Sequence, residues 1–310
     1  MRDYLTPLDL AGARLVATLA DGRGAARGVA WHPSGRWLAS CGKDGRALLW
    51  DAATPASGYP ALARTIARRP GRINALAWSP DGAALAFGDS GGLVTLAEGG
   101  DWAPGRTLPG PGGWITSLAW SPDGRLAVAG SKGALGIWDG GARLAAWPAH
   151  GASWITQVAW SPDGALLASA SDDQTAAIWD GAGGRLQALR GHEWYVTSLA
   201  WSRDGAELIT GSTDETIRWW RAGDGAELRR AGHHPDWVRS LALHPAGGCL
   251  AAGCKDGRLW LWSADGARQL GALQAHGDSI LSLAWSRDGA LLASASEDSA
   301  IKIWALPGLS

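Results

Sequence analysis

A unit that recurs from one end of the chain to the other does most to limit what this sequence can fold into. Ile155 to Asp180, ITQVAWSPDGALLASASDDQTAAIWD, is one copy. It holds an apolar run ending in Ala-Trp, a Ser-Pro-Asp-Gly turn, then Leu-Leu-Ala-Ser, a turn on Asp173, and Ile-Trp-Asp. The last residue of the first run recurs as Trp31, Trp78, Trp120, Trp160, Trp201, Leu243 and Trp285, at spacings of 47, 42, 40, 41, 42 and 42. So regular a period defines the architecture before any other signal is weighed.

Alternation and bounding turns divide each copy into three short strands, a, b and c, and the residues leading to the next copy supply a fourth, d. In the fifth copy these are Tyr195 to Trp201, Ala206 to Gly211, Thr216 to Arg221 and Ala226 to Arg230. The a-b turns repeat a theme, as in Ser79-Pro80-Asp81-Gly82, Ser121-Pro122-Asp123-Gly124 and Ser202-Arg203-Asp204-Gly205. Proline presets the backbone for such a turn, and glycine admits a positive φ. The 45 glycines and 15 prolines therefore read as turn punctuation rather than as disorder.

Charge narrows the function classes. The 28 basic and 29 acidic residues give a net charge of -1 with no long block of one sign. Sequence-neutral nucleic-acid binding and adhesion to anionic lipid both need a clustered positive field, so neither is expected. No run of 18 apolar residues occurs and the first ten residues lack a signal-peptide core, which predicts a soluble protein that is not exported. Cys41, Cys249 and Cys254 are odd in number and lack CxxC spacing, as expected of reduced thiols in a cytoplasm. An Arg-, Ala- and Gly-rich chain with 21 Trp, 3 Tyr and 1 Phe points to a GC-rich bacterial genome.

The Trp-Asp ends Trp50-Asp51, Trp138-Asp139 and Trp179-Asp180, with the Gly-His pairs Gly191-His192 and Gly232-His233, resemble the WD40-repeat β-propeller family over nearly the whole chain. The resemblance implies an all-β, seven-bladed β-propeller of four-stranded antiparallel blades, one unit over residues 1–310, expected to be a monomer. Residues 14–20 resemble a d strand but precede the first copy, while the seventh copy lacks one. The N-terminal strand is therefore expected to complete the last blade, close the ring and leave no edge for another chain to extend. Copy two ends in Leu96-Ala97 rather than Trp-Asp and is followed by the long stretch Glu98 to Pro111, and copies two and three are each a residue short in the b-c turn. An irregular surface is expected there.

His150, Ser169, Asp173 and Trp179 in the fourth copy recur as His192, Thr210, Asp214 and Trp220 in the fifth and His276, Ser294, Asp298 and Trp304 in the seventh. Ser, His and Asp are the cast of a catalytic triad, but a nucleophile needs one exposed site with an oxyanion hole. A set repeated at equivalent positions suits a different role. The resemblance implies a buried relay in which Asp fixes His, His bonds the hydroxyl, and the hydroxyl takes the indole N–H, so that each polar group has a partner. The first copy keeps Ser40, Asp44 and Trp50 without an evident His, and the sixth has Asp256 and Trp262 with Ala252 at the hydroxyl position. His233-His234 is the one adjacent histidine pair, and no HExxH, calcium-loop or phosphate-loop motif appears, so no metal, nucleotide or other cofactor is expected.

Six residues before each anchor, where strand a begins, stand Ala25, Arg72, Trp114, Trp154, Tyr195, Trp237 and Ser279; two residues further on come Arg27, Asn74, Thr116, Thr156, Thr197, Arg239 and Leu281. Family resemblance places the d-a and b-c loops on one face around the channel mouth, bordered by Lys43, Lys132 and Lys255. Trp, Tyr and Arg dominate interface energetics. The expected function is a non-enzymatic scaffold for a protein or peptide of acidic character, held by Trp114, Trp154, Tyr195 and Trp237 and by Arg27, Arg72 and Arg239. Packing of the same aromatics beneath the loops is the competing structural reading. A small-ligand binder or enzyme in the central channel is the alternative function.

Overall fold

The computed structural model describes residues 12–19, 24–52, 61–232 and 234–306. Its described strands form seven four-stranded antiparallel sheets, each a blade. In blade 4 the order from the centre outward is Ile155–Trp160, Leu166–Ser171, Thr175–Asp180 and Arg185–Arg190. The fifth blade runs Val196–Trp201, Glu207–Ser212, Ile217–Arg221 and Glu227–Ala231, within a residue of the sequence expectation. The innermost strands contact one another in a closed cycle, from Ala26–Trp31 round to Ile280–Trp285 and back.

Closure has the anticipated source. Arg14–Leu19 pairs antiparallel with Ile301–Ala305, so the last blade joins the two ends of the chain, with Leu15 opposite Trp304. Edges persist nonetheless, because each sheet is separate and keeps an outer strand of five to eight residues. Radial repetition shortens edges; it does not remove them. The stretch after Leu96-Ala97 is also more regular than expected: Ala103–Pro109 pairs with Leu93–Glu98 as an ordinary d strand.

Strands b and c are buried on both faces, since each blade is covered by a neighbour on either side. Leu135 and Ile137 of blade 3 pack on Ile155, Val158 and Leu167 of blade 4. The core is accordingly a series of layers between blades. At the a-b turns, Ser79 donates to Asp81 at 2.6 Å and Asp81 accepts the Ala83 N–H at 3.0 Å. Gly82 has φ +74, and a Cβ there would meet His32 Nε2 of the preceding blade at 2.2 Å. Glycine is required twice over, by dihedral angle and by space.

The anchors act between blades. The indole N–H of Trp78 donates to the Ala30 carbonyl at 3.2 Å, Trp120 to Ala77 at 3.1 Å, Trp201 to Ala159 at 3.1 Å and Trp285 to Ala242 at 3.1 Å. Each acceptor precedes the anchor of the previous blade. Trp31 closes the cycle by donating to Ala284 at 3.1 Å. In blade 4 the Trp160 indole nitrogen is buried without a partner, and the Arg125 guanidinium covers its ring 4.6 Å from the centroid.

Candidate functional site at the channel mouth

The relay residues lie together inside blades 4, 5 and 7. His150 Nδ1 lies 2.8 Å from Asp173 Oδ2 and Nε2 lies 2.7 Å from Ser169 Oγ, which accepts the Trp179 N–H at 2.8 Å. His192 makes the same contacts to Asp214 at 2.8 Å and Thr210 at 2.7 Å, with Trp220 donating at 2.8 Å. His276 reaches Asp298 at 2.9 Å and Ser294 at 2.7 Å, with Trp304 donating at 3.0 Å. Ser169, Thr210 and Ser294 are fully buried, where no substrate reaches them. The indole can only donate and the carboxylate can only accept, so the hydroxyl and the imidazole between them link the two ends of the chain. Burial alone would raise the Asp214 pKa, yet the His192 hydrogen bond and charge, the Thr216 hydroxyl and the Glu193 N–H hold it far below the ordinary carboxylate range.

Departures from the relay have their own solutions. In blade 1 Trp50 donates to Ser40 at 2.8 Å while Asp44 pairs with Arg46. In blade 6, where Ala252 removes the hydroxyl, the Trp262 N–H donates straight to His234 Nε2 at 3.1 Å, and His234 Nδ1 faces the Glu215 carbonyl at 3.2 Å. His234 is thus the histidine turned inward in this blade; His233, singled out with Gly232 in the sequence, lies outside the described residues.

On the other side of the innermost strands, one cavity of about 610 Å³ brings Arg27, Arg72, Trp114, Trp154, Tyr195, Trp237 and Arg239 onto a common wall. Arg72, Trp114, Trp154, Tyr195 and Trp237 stand six residues before their anchors, at the strand entries, and Arg27 and Arg239 stand two residues further along theirs. Trp114, Trp154, Tyr195 and Trp237 are 41%, 43%, 46% and 40% exposed, so they are not packed away beneath the loops. Trp114 and Trp154 meet edge to face at 5.4 Å, and Lys255 Nζ stands 3.9 Å above the Trp237 ring. Ala25 and Ser279, in blades 1 and 7, are small and buried. The mouth is thereby aromatic across blades 3 to 6 and lacks that wall across blades 7 and 1.

The next ring inward sits on a feature absent from the sequence reading. In all seven innermost strands the pairing register slips by one residue, at Arg27, Asn74, Thr116, Thr156, Thr197, Arg239 and Leu281. A bulged residue leaves the ladder and its side chain is re-aimed. Three of these stitch blades together: Asn74 Nδ2 donates to the Ile115 carbonyl at 3.0 Å, Thr156 to Val196 at 2.6 Å and Thr197 to Val238 at 2.5 Å.

One cavity residue, Asp172, and one residue of the rim, Trp194, escaped the sequence reading. Asp172 comes from a b-c turn, beside the relay residue Asp173, and adds a carboxylate where the strand entries offer none. Burial raises its pKa against the opposing charge of Arg239. Trp194 is 58% exposed and meets Tyr195 edge to face at 6.5 Å, extending the aromatic arc outward one residue off the repeat register. A search for exposed aromatics adjacent to the register, and for acids within b-c turns, would have found both.

No curated protein matches this chain. The family model described as WD domain, G-beta repeat matches residues 14–51, 102–139, 141–180, 183–221, 226–263 and 267–305. Each match begins at an outer strand or within two residues before it and ends on strand c of the following blade, and the first three strands of blade 2 are left unmatched. Six matched repeats, seven four-stranded sheets and a ring closed between the two ends of the chain agree: the chain belongs to the WD40-repeat family.

Proposed function

We propose that this protein is a non-enzymatic scaffold that binds a protein or peptide of acidic character across the channel mouth. The observation that carries the reading is the arc of Trp114, Trp154, Tyr195 and Trp237, four consecutive blades presenting a large aromatic side chain at least two-fifths exposed to one cavity. Burying one such side chain in a partner contributes on the order of 2 to 3 kcal/mol. Three or four suffice for micromolar affinity after association costs. The cavity wall carries three guanidiniums against one carboxylate, which supports an acidic partner. WD40 propellers are generally protein-interaction scaffolds, and this supports the coarse assignment. A monomeric, cytoplasmic protein is part of the proposal; three cysteines that are free and buried fit the reducing compartment.

The test replaces Trp114, Trp154 and Trp237 with alanine together, verifies an unchanged melting temperature, and compares affinity capture of partners with that of the wild type. Loss of a captured species is expected. Unchanged capture overturns the proposal. A second reading, a small ligand held in the channel, draws on the cavity itself and on Asp172 within it.

A further inference from the structure

Arg27 and Arg239 occupy bulge positions at which other blades place side chains that stitch one blade to the next. Neither arginine does so. Among the described residues, no side-chain hydrogen bond or ion pair involves the guanidinium of Arg27, Arg72 or Arg239, and the Nε of Arg27 is buried with no partner at all. Burial lowers the pKa of both Arg27 and Arg239; the charge of Arg72 adds to this at Arg27 and the charge of Arg27 at Arg239, while Glu297 opposes it at both. Glu297 is itself paired with Lys43 at 3.2 Å. Partly buried like charges lacking hydrogen bonds are unfavourable for folding alone, and guanidiniums are the side chains best matched to oxyanions.

We propose that the channel mouth, on the side of blades 6, 7, 1 and 2, is a binding site for a doubly charged oxyanion of the phosphate type, held by Arg27, Arg72 and Arg239. The charge decides the class. Three guanidiniums against the single carboxylate of Asp172 leave an excess of two positive charges on the cavity wall, which a dianion neutralises and a monocarboxylate does not. The apolar floor, from Val29, Leu76, Leu118, Leu241 and Leu283, offers no competing anion. This inference deepens the reading of the channel mouth as the binding face. The anion is either free or carried by a peptide lying along the aromatic arc.

The experiment measures binding of inorganic phosphate and of sulfate to the full chain by calorimetry, against chloride and acetate at equal ionic strength. Saturable one-to-one binding is expected, at least tenfold tighter for the dianions. Arg27→Gln and Arg239→Gln are each expected to weaken it at least tenfold. Arg72→Gln, at an exposed position that folding tolerates, is expected to weaken it severalfold. Absence of saturable binding, equal response to chloride, or unchanged affinity in all three variants overturns the site. A short apolar peptide bearing one phosphoserine separates the sources: binding tenfold tighter than inorganic phosphate assigns the anion to a peptide, and equal affinity assigns a free anion. Phosphate binding measured in the triple tryptophan variant keeps the two proposals apart. If partner capture is unchanged there while phosphate still binds, the scaffold reading fails and the oxyanion site stands.

Discussion

The indole N–H of Trp31 donates to the carbonyl of Ala284 at 3.1 Å, joining the first and last innermost strands across 253 residues of chain. It is the same bond that four other anchors make to their preceding blade. Trp160 sits at the equivalent position without it. Phenylalanine at Trp31 removes the bond and strands the Ala284 carbonyl, whereas phenylalanine at Trp160 removes a buried N–H that has no partner and keeps an aromatic ring beneath Arg125. Trp31→Phe is expected to cost about 1 kcal/mol more than Trp160→Phe, measured by chemical denaturation of the two variants in parallel.

The relay predicts how stability responds to acid. Asp214 has its pKa lowered in the folded state, so the unfolded chain takes up the proton first as pH falls. Its contribution is complete above the ordinary value of 3.8 and is lost below it. His276 is displaced downward from 6.5 by burial, although Asp298 opposes this, so the folded state binds its proton later than the unfolded chain. Stability therefore falls as pH drops below 6.5 and again below 3.8. Asp214→Asn is expected to cost about 2 kcal/mol at neutral pH and to flatten the lower limb; His276→Gln should flatten the upper one. Melting curves between pH 7 and pH 2.5 read both.

Arg27 offers a trade between stability and binding. Its guanidinium is partly buried, lacks a partner for Nε and faces two further arginines, so a neutral side chain of similar length relieves the fold. Arg27→Met is expected to raise the melting temperature by about 2 °C, equivalent to roughly 1 kcal/mol for a chain of this size, while abolishing phosphate binding. A fall in melting temperature would show that the arginine serves the fold.

Trp194 separates the rim from the cavity wall. It is the most exposed tryptophan of the arc, outside the residues that line the cavity. Trp194→Ala is expected to leave the melting temperature within about 1 °C and phosphate affinity unchanged. An extended protein partner that reaches the rim should still lose about tenfold in affinity. Titration of wild type and variant with the captured partner and with phosphate makes the comparison.

The sequence alone determined the repeat, the strand order within a copy, the closing role of Arg14–Leu19 and the residues that stand at equivalent positions around the ring. These are local properties. Turn chemistry and alternation act over a few residues, and a fixed period carries them from copy to copy. Only the tertiary structure decided what those equivalent positions do. The seven bulges depend on pairing between strands; the direct bond from Trp262 to His234 depends on a missing hydroxyl being bypassed in space. Arg27, Arg72 and Arg239 were legible as residues of the channel mouth, but that they face one cavity with only Asp172 as a carboxylate follows from ring closure, which brings blades 1, 2 and 6 together. The repeat register shows which side chains share the mouth; their exposure and the balance of charge among them are sums over distant residues, and no local pattern encodes such a sum.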